Sequence, residues 1–191
     1  NIARANEARV CTKEELLETL ANFSFPIAMK VIGPVHKSDV GGVILNVLSE
    51  KDAVMAFDNL MKIDGATSIL MQSRHNGVEL FVGVKKEVGF GHAVLCGIGG
   101  VFIEILNDVS AALSPVPRNE AEVMVKSLKG YKLFEGVRGR DPLNQEKFIQ
   151  IILNISALVE VAPEIVEMDI NPLLADIENV ISVDARIRIE K

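Results

Sequence analysis

The chain has 191 residues, of which 49% are hydrophobic and 24% charged, and its formal net charge is −6. This balance indicates a globular protein with one sizeable core or two smaller lobes, and it excludes disordered and collagen-like chains. The charges are interspersed, aromatic residues make up 5%, and there is no Trp. Such a composition argues against nucleic acid as a partner.

No apolar run reaches the roughly 18 residues that a membrane span needs, and the amino terminus lacks a basic-then-apolar signal pattern. We therefore expect a cytoplasmic protein that does not enter a membrane. The two cysteines, Cys11 and Cys96, are far apart and have no His or Cys nearby at metal-ligand spacing. We interpret both as reduced packing residues.

The first part of the chain carries alternating helix and strand signals. Thr12 and Glu15 form a capping-box pattern in front of a helix of about ten residues. Apolar alternation predicts strands over residues 26–32 and 43–48, and a second helix begins after Ser49.

The remainder of the chain is richer in strands, and short polar or Gly-containing turns between them indicate antiparallel neighbours. We predict strands over residues 67–72, 78–85, 92–98 and 101–106, helices over 119–129 and 144–161, and two final strands over 164–170 and 179–185. The last two strands flank a turn after Asn171-Pro172. The outline is mixed α/β with largely antiparallel pairing.

Two features of the first part suit an anion. Lys30 lies in the middle of a predicted strand, where an ammonium group could meet a phosphate. Residues 36–43 combine His36 with a cation, a hydroxyl and the pair Gly41-Gly42, whose main-chain N–H groups could approach phosphate oxygens. The imidazole could act as an acid, a base or a phosphoryl acceptor. A water-facing lysine on an edge strand and a polar surface turn are the alternatives.

Residues 97–104 form a glycine-rich break between apolar runs and end with the carboxylate of Glu104. This segment does not fit a dinucleotide fingerprint, because a strand signal follows Gly100 where that motif requires a helix. A β-bulge or tight turn is the alternative interpretation.

Asn171 and Asp184 lie on neighbouring predicted strands, and side-chain alternation can direct both into the same cleft. Two oxygen ligands of this kind, with water and phosphate oxygens completing the shell, suit Mg²⁺. An Asn-Pro turn and a solvated aspartate would give the same pattern.

Taken together and in this order, these features resemble the ATP-grasp domain of NDP-forming acyl-CoA synthetases, a family that includes acetate–CoA ligase (ADP-forming). The resemblance runs from about Thr12 to Arg188. Asn171-Pro172-Leu173 followed by Asp184 also resembles, more distantly, the succinyl-CoA synthetase β subunit. The most specific stretches are residues 26–30, 36–43, 97–104, 136–139 and 169–174.

The resemblance implies a two-lobed ATP-grasp fold of the α/β (α+β) type with largely antiparallel sheets. Residues 1–72 would form the smaller lobe, truncated at its amino-terminal end, and residues 73–191 the larger lobe with the metal-site hairpin. ATP or ADP would be held between the lobes. Lys30 would then contact the nucleotide phosphates, the main chain near Met71 and Gln72 would meet adenine, and Asn171 with Asp184 would hold Mg²⁺.

The resemblance also implies a reaction, in which acyl-CoA, ADP and phosphate give acid, CoA and ATP through acyl phosphate and phosphohistidine. His36 matches a family histidine that accepts phosphate, and Glu79 and Glu104 match acidic positions of the cleft. The chain would perform only the ATP half of the reaction. We therefore expect a CoA-binding ligase subunit or fused domain with a second phosphohistidine, within a hetero- or homo-oligomer.

Two other interpretations remain open. Bacterial protein lysine acetyltransferases carry a related, catalytically inactive synthetase-like domain that senses a ligand, although the Asn171 retained here favours a working metal site. The chain could also be a structural lobe that binds nothing alone. Departures from the family pattern, at Ser73 and Ala111-Ala112, fall where they would affect adenine binding.

Overall fold

The computed structural model describes residues 2–33, 41–100, 107–137, 139 and 141–190. The chain divides into two compact units, which we call the first unit, Ala5–His75, and the second unit, Asn76–Lys191 with Asn1–Arg4. The strand predicted over 101–106 lies outside the described residues. So do His36 and Glu104.

The first unit contains a four-stranded antiparallel sheet in the order β1-β4-β2-β3. Both of its helices begin at a side-chain cap, since the hydroxyls of Thr12 and Ser49 each accept a main-chain N–H at 3.2 Å. Its elements are β1 (Glu7–Val10), α1 (Lys13–Leu20), β2 (Ile27–Ile32), β3 (Val43–Val47), α2 (Glu50–Leu60) and β4 (Ser68–Ser73).

One face of this sheet packs against both helices. Met29 and Met71 from the sheet and Leu16 from α1 are fully buried, and Phe57 from α2 is 5% exposed. Burying a side chain of this size contributes about 1.5–3 kcal/mol each. Because strand residues alternate, Lys30 and Gln72 lie on the opposite face.

The second unit contains a larger antiparallel sheet in the order β10-β8-β5-β6-β7, with β9 paired to β8. Three helices among the described residues accompany it. The elements are β5 (Val78–Glu87), β6 (Gly91–Ile98), β7 (Val109–Leu113), α3 (Arg118–Lys126), α4 (Lys132–Glu135), α5 (Gln145–Val161), β8 (Ile165–Ala175), β9 (Val180–Ser182) and β10 (Ala185–Ile189).

The core of the second unit lies between α5 and one face of the sheet. Phe148 and Ile152 of α5 are fully buried together with Val82 and Val94 of the sheet. The Phe148 ring stacks on Phe134 with centroids 5.6 Å apart. No helix among the described residues combines the length and hydropathy that would cross a membrane.

The predicted helices and most predicted strands are confirmed within a few residues, but the final pair of strands was wrong in its bounds. β8 continues through Asn171-Pro172 as far as Ala175. The turn lies further on because the carboxylate of Asp176 accepts the N–H groups of Glu178 and Asn179 at 2.7 and 2.6 Å.

The segment predicted as one strand over 179–185 is in fact divided. β9 ends at Ser182 and β10 begins at Ala185. Between them the N–H of Val183 donates to the oxygen of Pro172 at 3.2 Å. This leaves Asp184 on the link between the two strands.

Candidate functional site

Lys30 occupies an inner strand, because β2 lies between β4 and β3. The interpretation of Lys30 as an edge-strand lysine is therefore wrong. The side chain is half-buried, and its Nζ donates to Oε1 of Gln72 at 2.9 Å. Gln72 is only 2% exposed, and its Nε2 donates to Oε2 of Glu7 at 3.2 Å. A chain of polar contacts thus crosses from β1 through β4 to β2.

Met71 and Gln72, the residues expected beside adenine, lie within the sheet on β4. The main chain of both pairs with β1 on one side and β2 on the other, and the Met71 side chain is fully buried in the core. β4 ends at Ser73. Contact of adenine with the main chain in this region stays a prediction.

Gly41 and Gly42 precede β3, next to Lys30. Val43 pairs with Lys30, and the oxygen of Gly42 accepts the N–H of Val31 at 2.8 Å. Gly41 has φ of +68°, and no atom lies within 4 Å of the place where its β-carbon would stand. This conformation favours glycine. The glycine pair and the lysine are thus neighbours in one sheet.

Asn171 and Asp184 are brought together in the second unit. Ala185 pairs with Ile170 in an antiparallel ladder, and Val183 bonds to Pro172. Asp184 lies between Val183 and Ala185, and Asn171 lies between Ile170 and Pro172, so Asp184 is opposite Asn171. The predicted pairing of these two side chains on neighbouring strands follows from this register.

Asp169 joins this pair, although the sequence analysis did not select it as a site residue. It lies two positions before Asn171 on β8 and hence on the same face. Burial raises the pKa of the Asp169 carboxyl; Arg186 lowers it, whereas Asp184 and Glu167 raise it further. The spacing of two residues from Asn171 is the signal that could have identified it.

These side chains offer hard oxygen donors. An amide oxygen from Asn171 and carboxylate oxygens from Asp184 and Asp169 match the chemistry that Mg²⁺ prefers. Within the described ranges, no group of three or more His, Cys, Asp or Glu side chains is arranged to hold a metal. Mg²⁺ commonly takes some of its ligands from water or a bound phosphate, so a small set of protein oxygens is compatible with it.

Glu79 lies beside the glycine pair Gly99-Gly100. Its main-chain oxygen accepts the N–H of Gly99 at 2.6 Å. Gly100 has φ of +67°, and a β-carbon there would stand 2.7 Å from Oε2 of Glu79. Glu79, which is predicted to line the cleft, thus packs against the two glycines. A larger residue at either glycine would displace Glu79.

The face of the second sheet that carries Asp169 becomes apolar towards its far edge. Across the strands, Asp169 pairs with Gly83, Gly83 with Leu95, and Leu95 with Ala111. Adjacent strands are about 4.8 Å apart, so acidic and apolar groups share one face within about 15 Å. This distribution suits a ligand with one charged end and one apolar end.

Comparison with known proteins assigns the family. The model of the ATP-grasp domain matches residues 1–189. Acetate–CoA ligase (ADP-forming) I subunit beta of Pyrococcus furiosus is 36% identical over 185 residues, which are 92% of this chain and 80% of the subunit. The chain therefore belongs to the ATP-grasp family, among the ATP-grasp parts of ADP-forming acid–CoA ligases.

A longer relative and a solved structure agree with this assignment. Acetate–CoA ligase (ADP-forming) II of Archaeoglobus fulgidus is 42% identical over 179 residues. The matched region covers 92% of this chain but only 26% of that ligase, so the chain spans about a quarter of the length of this relative. Acetyl-coenzyme A synthetase 1 of Ca. Korarchaeum cryptofilum, solved with coenzyme A and Mg-AMPPCP and with its phosphohistidine segment pointing towards the nucleotide binding site, is 35% identical. It matches with a TM-score of 0.85 over 100% of this chain and 86% of that one.

These comparisons confirm the predicted family and the mixed α/β ATP-grasp fold. They give no support to the interpretation as an inactive acetyltransferase domain, since each relative named above is a ligase or synthetase. The roles of the individual site residues stay predictions.

Proposed function

We propose that the chain is the ATP-binding, phosphoryl-transfer part of an ADP-forming acyl-CoA synthetase. The overall reaction converts acyl-CoA, ADP and phosphate into acid, CoA and ATP, and it is reversible. The observation that carries the proposal is the pairing of Asn171 with Asp184 at one level of the second sheet. Its donor chemistry suits a metal–nucleotide complex.

In this proposal residues 1–72 are the smaller lobe and residues 73–191 the larger lobe of an ATP-grasp domain. Lys30 binds the phosphates as a point charge, and N–H groups at Gly41 and Gly42 approach phosphate oxygens. The main chain near Met71 and Gln72 contacts adenine. The half-buried position of Lys30 beside the glycine pair supports this assignment.

Asn171 and Asp184 would hold Mg²⁺, which neutralises negative charge on the transferring phosphoryl group when it is bound. Asp169 adds negative charge beside them. Glu79 and Glu104 line the cleft, and Glu104 takes part in catalysis.

His36 is the proposed phosphoryl acceptor. A ring nitrogen forms a bond to the γ-phosphorus of ATP while the bond from that phosphorus to the bridging oxygen breaks, and ADP leaves. The phosphoryl group then passes to a CoA-binding ligase subunit or fused domain, which carries a second phosphohistidine. The naming of the Pyrococcus relative as a β subunit supports the existence of such a partner.

Calorimetric titration of the full-length protein with Mg-ATP tests the metal and phosphate assignments. We expect Asp184→Asn and Lys30→Met each to weaken binding at least about tenfold, because each removes a charge that faces phosphate or metal. Asp141→Asn and Lys51→Met change the same charges at exposed positions and should bind as the unsubstituted protein does. Equal affinity of all four variants would contradict the proposal.

Transfer of label from γ-³²P-ATP tests the acceptor. The full-length protein should acquire acid-labile, base-stable label, as phosphohistidine does, and His36→Asn should not. Undiminished label on this chain in the His36→Asn variant would overturn the role of His36 while leaving nucleotide binding unaffected.

A further inference from the structure

We propose that Glu7 is a positioning residue for Lys30 and that it acts through the side chain of Gln72. This inference rests on the proposed function, in which Lys30 binds the nucleotide phosphates. It assigns a role to a residue that the sequence analysis did not select, and it gives the Gln72 side chain a function separate from any adenine contact of its main chain.

The three side chains lie in a row on the face of the first sheet that is opposite its two helices. Nζ of Lys30 donates to Oε1 of Gln72 at 2.9 Å, and Nε2 of Gln72 donates to Oε2 of Glu7 at 3.2 Å. Both distances are within the range of normal hydrogen bonds. Gln72 is 2% exposed, so water competes little for its amide group.

The hydrogen-bonding roles of Glu7 and Lys30, one an acceptor and the other a donor, favour one orientation of the Gln72 amide. A carboxylate such as Glu7 can only accept hydrogen bonds, and an ammonium such as Lys30 can only donate them. If the Gln72 amide were reversed, its NH₂ group would face the ammonium and its oxygen would face the carboxylate. Both contacts would be repulsive, so Glu7 keeps the accepting atom of Gln72 turned towards Lys30.

An oriented acceptor matters because the lysine side chain has many rotamers in water. Fixing the ammonium before the ligand arrives lowers the entropy that binding must remove. Without Glu7 the Gln72 amide loses the carboxylate that favours this orientation, so the acceptor that it offers to the ammonium is less well fixed. We therefore expect Glu7 to affect the phosphate end of the ligand and not its adenine end.

The fold brings these residues together, since Glu7 and Gln72 are 65 positions apart in the chain. β1 pairs with β4 so that Glu7 faces Gln72 directly. β4 pairs with β2 so that Lys30 lies diagonally across from Gln72, opposite Leu70. The strand order β1-β4-β2 therefore places Glu7, Gln72 and Lys30 within reach of one another.

The test compares Glu7→Gln with Glu18→Gln in the full-length protein, by calorimetry with Mg-ATP and, separately, with adenosine. Glu18 is exposed on α1 of the same unit, so its substitution makes the same change of charge. We expect Glu7→Gln to weaken Mg-ATP binding roughly five- to tenfold with adenosine affinity unchanged. Glu18→Gln should change neither affinity.

A second variant keeps the inference testable if Glu7→Gln alters folding. Gln72→Glu would place two carboxylates next to each other and should weaken Mg-ATP binding. Adding Glu7→Gln to it restores a donor opposite an acceptor, so the double variant should bind Mg-ATP more tightly than Gln72→Glu alone.

Three results would overturn the inference. They are Mg-ATP binding by Glu7→Gln equal to that of Glu18→Gln, equal losses of Mg-ATP and adenosine binding, or no recovery in the double variant. In each of these cases Lys30→Met would still weaken Mg-ATP binding at least about tenfold if the proposed function is correct. Failure of the unsubstituted protein to bind Mg-ATP would instead overturn the proposed function, and this inference with it.

Discussion

Gly97 on β6 lies so close to Asp108 that a β-carbon on the glycine would stand 2.3 Å from the main-chain oxygen of Asp108 and 2.5 Å from the ring of Phe81. Real β-carbons do not approach other atoms this closely, and a backbone oxygen cannot rotate away. Gly97→Ala should therefore lower the free energy of unfolding by about 2–4 kcal/mol, as measured by urea unfolding.

A matched substitution separates this contact from the general cost of replacing glycine. Gly89 lies at the turn between β5 and β6 with φ of +84°, and it has open space where a β-carbon would stand. Gly89→Ala should cost only about 1 kcal/mol, from backbone strain. Equal losses in the two variants would show that the contact with Asp108 is not the cause.

The buried imidazole of His92 should stabilise the β5–β6 hairpin. His92 is 5% exposed, and its Nε2 lies 2.7 Å from the oxygen of Ile165, so this nitrogen carries the proton. His92→Ala leaves that oxygen without this donor and should cost about 1–3 kcal/mol. The loss should appear as faster chymotrypsin cleavage at Phe90, which is 72% exposed at the turn. His92→Gln, which can place an N–H donor in a similar position, should lose less.

Cys96 should make stability depend on alkaline pH. Burial, with a contribution from Asp108, raises the pKa of the Cys96 thiol from 9.0 to about 12. Between these values the unfolded chain binds fewer protons than the folded chain, so the free energy of unfolding falls as pH rises, by up to about 1.4 kcal/mol per pH unit. Cys96→Ala should remove this slope in urea unfolding at about pH 8 to 10.5. Cys11→Ala, at an exposed position, should keep it.

Periodicity alone predicted most of the secondary structure. The apolar stripes of α2 and α5 and the apolar runs of β2, β5 and β6 correspond to residues that the folded chain buries. β10 was missed beyond Ala185 although its residues alternate between polar and apolar, and in the folded chain all five of them are exposed. β1, with four residues, is too short to give such a pattern.

The candidate site was predictable where its residues lie near one another in the chain, as Lys30 and the Gly41-Gly42 pair do. Glu7 was missed because its contact with Gln72 depends on strand order, which local patterns do not encode. Asp169 was missed for a different reason, because its importance comes from burial and from the charge of Asp184. Both are properties of the folded chain.

Asp169→Asn should separate stability from ligand binding. The Asp169 carboxylate is partly buried near two other acidic side chains, Asp184 and Glu167, whose effect on it Arg186 partly opposes. Removing its charge should raise the free energy of unfolding in the absence of metal, by up to about 1 kcal/mol, because like charges in a desolvated site repel. The same change should weaken Mg-ATP binding several-fold, since a divalent cation is attracted by each nearby carboxylate.

Urea unfolding in EDTA measures the effect of Asp169→Asn on stability, and calorimetry with Mg-ATP measures its effect on binding. Glu164→Gln, at an exposed position on the same unit, is the control for net charge. A variant that loses both stability and affinity would show that Asp169 holds the strand pair together instead of serving the metal.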